Sequence, residues 1–338
     1  MIDLRSDTVT KPTPQMLETM LNAKVGDDVF EEDPTVIELE ETAAKMFGKE
    51  AGLYCPSGTM TNQIAIKAFT GHGTEVICEK GSHVYYYEGG GIMSNSGASV
   101  KLIDGNRGRI TADDVLKKIN TDNVHFPESR LVVLENTANR GGGSCYSLED
   151  MQSIASACKE HNLFLHLDGA RIFNACVAKK YSAMHVGSCF NTISVCLSKG
   201  LGAPVGSVLL GDKLVIKKAR RIRKVFGGGV RQAGYIAAAG LYALQNHVYR
   251  LADDHNKAKQ IEAALKTCSY VKNVLPVETN IIIFELKDGL KTESVLSLLS
   301  ENNILAFATG PNTIRFVTHL DISDSMMVEI EKGLKTFN

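Results

Sequence analysis

The chain has 338 residues, 44% of them hydrophobic and 22% charged, an ordinary balance for a globular protein with one large domain or two smaller ones. Its formal charge of −1 gives no electrostatic pull toward nucleic acid or an anionic membrane, and no apolar run approaches the roughly 18 residues that span a bilayer. The eight cysteines form no CxxC pair and no close Cys/His cluster, so neither a disulfide framework nor a bound metal is expected, and a reducing cytoplasm suits them.

The opening residues, Met1-Ile2-Asp3-Leu4-Arg5-Ser6-Asp7, carry acids and lack the apolar stretch of a secretion signal. Short apolar runs then recur at 52–55, 75–78, 100–103, 131–134, 164–167, 193–197 and 207–210. Helical patterns separate them, clearest at 59–70, at 147–161 with Ser147 as cap, and at 230–246. Seven strands alternating with helices predict an α/β fold whose seven-stranded, mostly parallel sheet lies between helices. After about residue 246 the pattern changes. A charged helix over 247–267 precedes a strand over 280–286, a helix over 292–302, strands over 305–309 and 313–318, and a closing helix from Ser323. That layout reads as a small α+β domain. The expected division is an N-terminal segment (1–15), a large domain (16–246) and a small C-terminal domain (247–338).

In open α/β sheets, ligands gather beyond the carboxyl ends of the strands, so the residues just after each run matter most. Cys55-Pro56-Ser57-Gly58-Thr59-Met60 passes from strand through small residues into a helix, where free N–H groups and the helix dipole favour an anion, although helix capping alone explains Ser57 as well. Lys80-Gly81-Ser82-His83 places a histidine after the second run, where a lone histidine is more often structural than catalytic. Phe164-Leu165-His166-Leu167-Asp168-Gly169-Ala170-Arg171 ends a strand on a carboxylate, suited either to an Asx turn or to holding a protonated ring nitrogen. Ser198-Lys199-Gly200-Leu201-Gly202 sets one lysine among small residues. Burial disfavours the charged form of an amine, and a neutral amine condenses with carbonyls to a Schiff base. Taken alone, each stretch is explained at least as easily by a turn, a cap or a surface cation.

Their order carries more weight than any one of them. A phosphate loop, an aromatic ring, an Asp and then a Lys resemble the layout of the fold-type-I pyridoxal-phosphate enzymes. Within that class the chain resembles the L-threonine aldolases over almost its whole length. The matching stretches are "DLRSDTVTKPT", "GDDVF", "EEDPT", "PSGTMTNQ", "HLDGARIFNA", "CLSKGL", "APVGSVLLG", "GGGVRQAG" and "TIRFVTH".

The resemblance implies roles. Lys199 would bind pyridoxal 5'-phosphate, Asp168 would pair with its ring nitrogen, and His83 would stack on the ring. Gly58, Thr59 and Ser198 would contact the phosphate, with Arg231 arriving from a neighbouring subunit of a homo-oligomer, a dimer with shared sites or a tetramer. Ser6, Arg171 and Arg315 would hold the carboxylate of a small amino-acid substrate. The implied reaction is retro-aldol cleavage of L-threonine or L-allo-threonine to glycine and acetaldehyde. Its general base is His83 or His125, or a water held by the two. Another fold-type-I activity, β-elimination or transamination, is the alternative. Phe30 and Ala138 depart from the family pattern at positions expected near the substrate end. The basic run 217–224 is expected to be a solvated helix face rather than a nucleic-acid patch.

Overall fold

A computed structural model describes residues 1–336. Seven strands form the main sheet: β1 (Ala51–Cys55), β2 (Thr74–Glu79), β3 (Ser99–Ile103), β4 (Glu128–Glu135), β5 (Phe164–Gly169), β6 (Thr192–Cys196) and β7 (Ser207–Gly211). Their spatial order is β1-β7-β6-β5-β4-β2-β3, and every pairing is parallel except the two made by β7. The expected mostly parallel seven-stranded sheet is therefore present. All five residues of β6 and all five of β7 are buried, as strands covered on both faces must be.

Helices pack on both sides, and their ends are written in side-chain chemistry. Ser57 caps Gly58–Phe69 through the Met60 N–H, at 3.2 Å. Asp33 caps Pro34–Met46, whose first residue is a proline that needs no partner for a missing N–H. The helix Lys213–Val225 carries the basic run, but it is not simply solvated. Arg223 is buried against Asp28 and the Tyr54 carbonyl, and Arg220 pairs with Glu31 and Glu40. Much of the run is thus tied into the fold.

A second, antiparallel sheet of four strands has the order β10-β11-β9-β8, where β8 is Val271–Val274, β9 Ile281–Leu286, β10 Phe307–Gly310 and β11 Thr313–Val317. Its core includes Phe284 and Phe316, in edge contact at 5.2 Å. β8 carries exposed Lys272 and Asn273 and no apolar run, so it escapes a reading by hydrophobic pattern. Ile2 and Leu4 are buried in this second core, and Ile2–Asp3 pairs in parallel with Ile304–Leu305. The Val317 N–H donates to the Leu4 carbonyl at 2.9 Å. By fastening the first residues to the second sheet, these bonds bring Ser6 and Asp7 back over the carboxyl edge of the large sheet. Among the described residues, no helix is long and apolar enough to cross a membrane.

Candidate active site

The parallel register sets the site. Glu135 on β4 lies opposite Asp168 on β5, which lies opposite Ser194 on β6, so three strand ends finish at one level. Asp168 is buried, and the turn after it needs a glycine. A Cβ on Gly169 would stand 2.5 Å from the Ser194 carbonyl. Asp168 Oδ1 accepts from the Ala170 N–H at 3.1 Å, and Oδ2 accepts from Asn62 Nδ2 at 3.0 Å.

His83 starts a short helix after β2. Its backbone N–H donates to Glu135 Oε2 at 2.8 Å, and its ring Nδ1 lies 2.9 Å from Glu88 Oε1. Glu88 has no side-chain exposure and also accepts from Gln63 at 2.6 Å. Polar atoms of His83, Glu88 and Asp168 all lie within 4.8 Å of one another. Burial presses the His83 pKa down, but Glu88, Asp168 and Glu135 together hold it above its ordinary value. Burial, reinforced by the Asp168 charge, lifts Glu135 to about 7, against the pull of the Asn139 and His83 N–H groups.

Arg171, in the turn after β5, and Arg315, on β11 of the second sheet, lie near enough for their charges to act on one another. Arg171 is buried, and its Nε and Nη2 grip Asp7 at 2.7 and 2.6 Å. Asp7 is also buried, and Asn280 adds a third bond to it at 3.2 Å. Burial would raise the Asp7 carboxyl, but Arg171, Lys199 and Asn280 hold it down at about 2. Arg315 donates from Nη1 to Asn139 at 2.9 Å and from Nη2 to the Arg5 carbonyl at 3.0 Å. Its Nε is buried and has no partner among the described residues. Burial and the nearby Arg171 charge lower the Arg315 pKa. Two guanidinium groups repelling one another, with one donor unused, make a place for an anion.

Lys199 lies in the loop between β6 and β7, half-buried rather than in the dry setting its small neighbours suggest. Ser198 is half-buried beside it. Gly58 and Thr59 begin the helix after β1. The Met60 and Thr61 N–H groups are taken by Ser57, so those of Gly58 and Thr59 are left facing outward from the helix start. Ser6 is buried next to Asp7, its oxygen capping a short helix through the Thr8 N–H. Lys199, Asp168, His83, Arg171, Arg315, Ser6, Ser198, Gly58 and Thr59 thus all stand on or over one edge of the sheet.

Two expected residues do not join this group within the chain. His125 is exposed in the turn before β4, at the entry end of that strand. The eight residues of β4 separate it from the Glu135 end, about 23 Å at the usual rise. A water cannot bridge His83 and His125 of one chain over that length, so any pairing of the two would have to draw His125 from a second chain. Arg231 is surface-exposed, bonded to Asp27 at 2.9 Å and resting over exposed Phe30. Phe30 therefore lies on the surface, while Ala138 is buried beside Glu135 and Arg140 in a cavity of about 380 Å³.

Asp7, Asn62, Glu88 and Glu135 were not singled out by the sequence. Glu135 offered a signal, since it ends the run 131–134 just as Asp168 ends 164–167. The other three come from helices and a segment remote in sequence, and no local pattern marks them.

Comparison with known proteins gives the chain its family. The beta-eliminating lyase family model matches residues 3–288. The chain is 42% identical over 331 residues to low-specificity L-threonine aldolase 1 of Arabidopsis thaliana, covering 96% of this chain and 92% of the relative. It is 40% identical over 339 residues to the low specificity L-threonine aldolase of Escherichia coli K12, covering 100% and 99%. The fold superimposes on the threonine aldolase of Leishmania major with a TM-score of 0.88, at 19% identity and 99% coverage of both chains. With the family match running from the first strand residues through the large sheet and into β9, the chain belongs to the beta-eliminating lyase family.

Proposed function

We propose that the chain is a low-specificity L-threonine aldolase that uses pyridoxal 5'-phosphate to cleave L-threonine and L-allo-threonine to glycine and acetaldehyde. One observation carries the reading: the Arg171 and Arg315 charges act on one another while Arg315 Nε has no partner among the described residues, and the buried carboxylate Asp168, three residues before Arg171, has neutral hydrogen-bond partners. The first suits the α-carboxylate of an amino acid, and the second suits a protonated ring nitrogen. Full-length identity of about 40% to named threonine aldolases supports the substrate.

The residues present fit the cofactor. Asp168 and Glu88 are buried close together, with the Glu135 carboxyl beside them, and no lysine or arginine bonds to any of the three among the described residues, so a cationic heterocycle would find acidic partners there. Lys199 supplies the amine that would hold it, and Gly58, Thr59 and Ser198 the donors for its phosphate. When bound, pyridoxal phosphate supplies an electron sink for the pair left on Cα as the Cα–Cβ bond breaks.

The chain's own residues do the rest. Ser6, Arg171 and Arg315 fix the carboxylate, which fixes the direction of the Cα–Cβ bond. His83 takes the β-hydroxyl proton on Nε2, because its Nδ1 is engaged by Glu88. The O–H pair left on oxygen becomes the second C–O bond of acetaldehyde as the Cα–Cβ pair stays with Cα, and Cα takes up a proton as glycine leaves. A base with a raised pKa works only once deprotonated, so kcat/KM should climb as pH rises through that value.

Exposed Arg231, flanked by exposed Phe30, Tyr235 and Ile236, supports a homo-oligomer in which this guanidinium completes the phosphate site of a neighbouring subunit. A dimer with shared sites, paired into a tetramer, is the assembly we propose, in the cytoplasm. The large unit (16–246) would carry the cofactor, and the small one (247–338) would bring Arg315. The test is an aldehyde assay on the purified protein loaded with pyridoxal phosphate. Stoichiometric glycine and acetaldehyde from L-threonine support the reading, whereas ammonia and an oxo acid would mean β-elimination instead.

A further inference from the structure

The helix Gly58–Phe69 does more than present its first turn to an anion. Asn62 and Gln63 lie inward on it and are buried. Asn62 Nδ2 is 2.9 Å from Glu88 Oε1 and 3.0 Å from Asp168 Oδ2. Asn62 Oδ1 is 3.1 Å from His166 Nε2, and His166 Nδ1 is 2.9 Å from Thr192 Oγ1. One amide therefore touches the carboxylate assigned to the ring nitrogen, the carboxylate that orients His83, and a wholly buried imidazole on the same strand as Asp168.

Donor and acceptor counting leaves one arrangement. An amide has two N–H hydrogens and one carbonyl, and an ionised carboxylate only accepts. Both hydrogens are then committed, one to each carboxylate. The amide oxygen needs a donor, and His166 Nε2 is the atom placed to donate. His166 is thereby the neutral Nε2–H tautomer, with its Nδ1 accepting from the Thr192 hydroxyl. Burial drives the His166 pKa down to about 4, which keeps the ring neutral. The opposite tautomer would turn Asn62 over and press its carbonyl oxygen against two carboxylates.

We propose that Asn62 is a positioning residue of this site, locked by His166 and Thr192 so that its two amide hydrogens are shared between Asp168 and Glu88. The proposal rests on the roles given above to Asp168 and His83. It also says which of them depends on Asn62 more. Glu88 keeps Gln63 and His83 as partners without Asn62, whereas Asp168 Oδ2 keeps none that the structure displays. Removing the amide should free Asp168 first.

Two measurements test it. In cofactor-free wild-type protein labelled with ¹⁵N-histidine, the His166 signal, assigned by its loss in His166→Gln, should be the neutral Nε2–H tautomer down to pH 5. An Nδ1–H tautomer, or a charged ring at pH 6, would overturn the lock. In the loaded enzyme, Asn62→Ala and His166→Leu should lower kcat about 10- to 100-fold with KM for L-threonine within about threefold. His166→Gln keeps an N–H near the Nε2 position and should restore kcat to within about threefold. Equal losses in the Gln and Leu variants, or losses that simply follow melting temperature, would make His166 a packing residue and defeat the proposal. A wild-type protein that releases no acetaldehyde defeats the aldolase reading alone, and the tautomer still decides the wiring.

Discussion

Replacing Asp7 with asparagine probes how the site is assembled. The change keeps the shape of the side chain but removes the charge that Arg171 grips with two bonds. Both partners are buried, so Arg171 would be left as an uncompensated cation beside Arg315. Depression of the Asp7 pKa from 3.8 to about 2 corresponds to about 2 kcal/mol of preference for the charged form. Removing one partner of a buried pair costs more, about 3–5 kcal/mol, because the surviving charge stays desolvated. Asp7→Asn should therefore lower stability at pH 7 by about 3 kcal/mol or more, read by urea unfolding at fixed protein concentration. The pH course follows the sign of the shift. A depressed carboxyl contributes above its unfolded value of 3.8 and loses that contribution as pH falls toward 2, so variant and wild type should converge in acid. The variant should also lose kcat/KM for L-threonine, because the Arg171 fork is no longer aimed. Stability within about 0.5 kcal/mol of wild type, with unchanged kcat/KM, would refute the reasoning.

Three further outcomes are expected. Arg315→Ala should reduce kcat/KM for amino acids by about 10- to 100-fold while pyridoxal phosphate affinity changes little, and the reverse pattern would move Arg315 to the phosphate. Glu135 is held protonated in the folded chain up to about 7, so its contribution is complete below 4.5 and declines as pH rises through 7. In the cofactor-free protein, the stability of Glu135→Gln relative to wild type should therefore improve from pH 5 to pH 8, by about 3 kcal/mol at most, and a constant difference would contradict the shift. Mixing inactive Lys199→Ala with impaired Arg231→Ala protein after reversible dissociation should restore roughly a quarter of wild-type activity if each site draws on two chains. No recovery, with exchange verified by mass spectrometry, would keep Arg231 out of the neighbour's site.

Much of this site could be read from the sequence because a parallel sheet aligns its strand ends. Asp168 and Lys199 each follow an apolar run, and β5 and β6 are neighbours, so a rule about strand ends was enough to group them. Arg315 needed the family resemblance, since nothing local says that β11 of the second sheet faces the first. His125 was named for its imidazole rather than by that rule, and it precedes its strand, so within one chain it stands at the opposite edge. Asp7 stayed hidden because its partner Arg171 is 164 residues away, across a chain reversal that depends on Ile2 and Leu4 burying in the other core. Asn62 is a polar residue inside a helix and Glu88 lies in the bend between two short helices, and only packing brings them to the Asp168 site. Periodicity found strands and helices, but not which polar side chains meet between them.

The central claim is that Lys199 carries the cofactor for cleavage of a β-hydroxy amino acid. Wild-type protein and Lys199→Ala, each incubated with pyridoxal phosphate and dialysed, should be compared by visible spectrum and by acetaldehyde released from L-threonine. The account predicts a yellow wild-type protein that makes acetaldehyde and a Lys199→Ala variant that has lost that colour and does not turn over. A Lys199→Ala protein with wild-type colour and rate would contradict it.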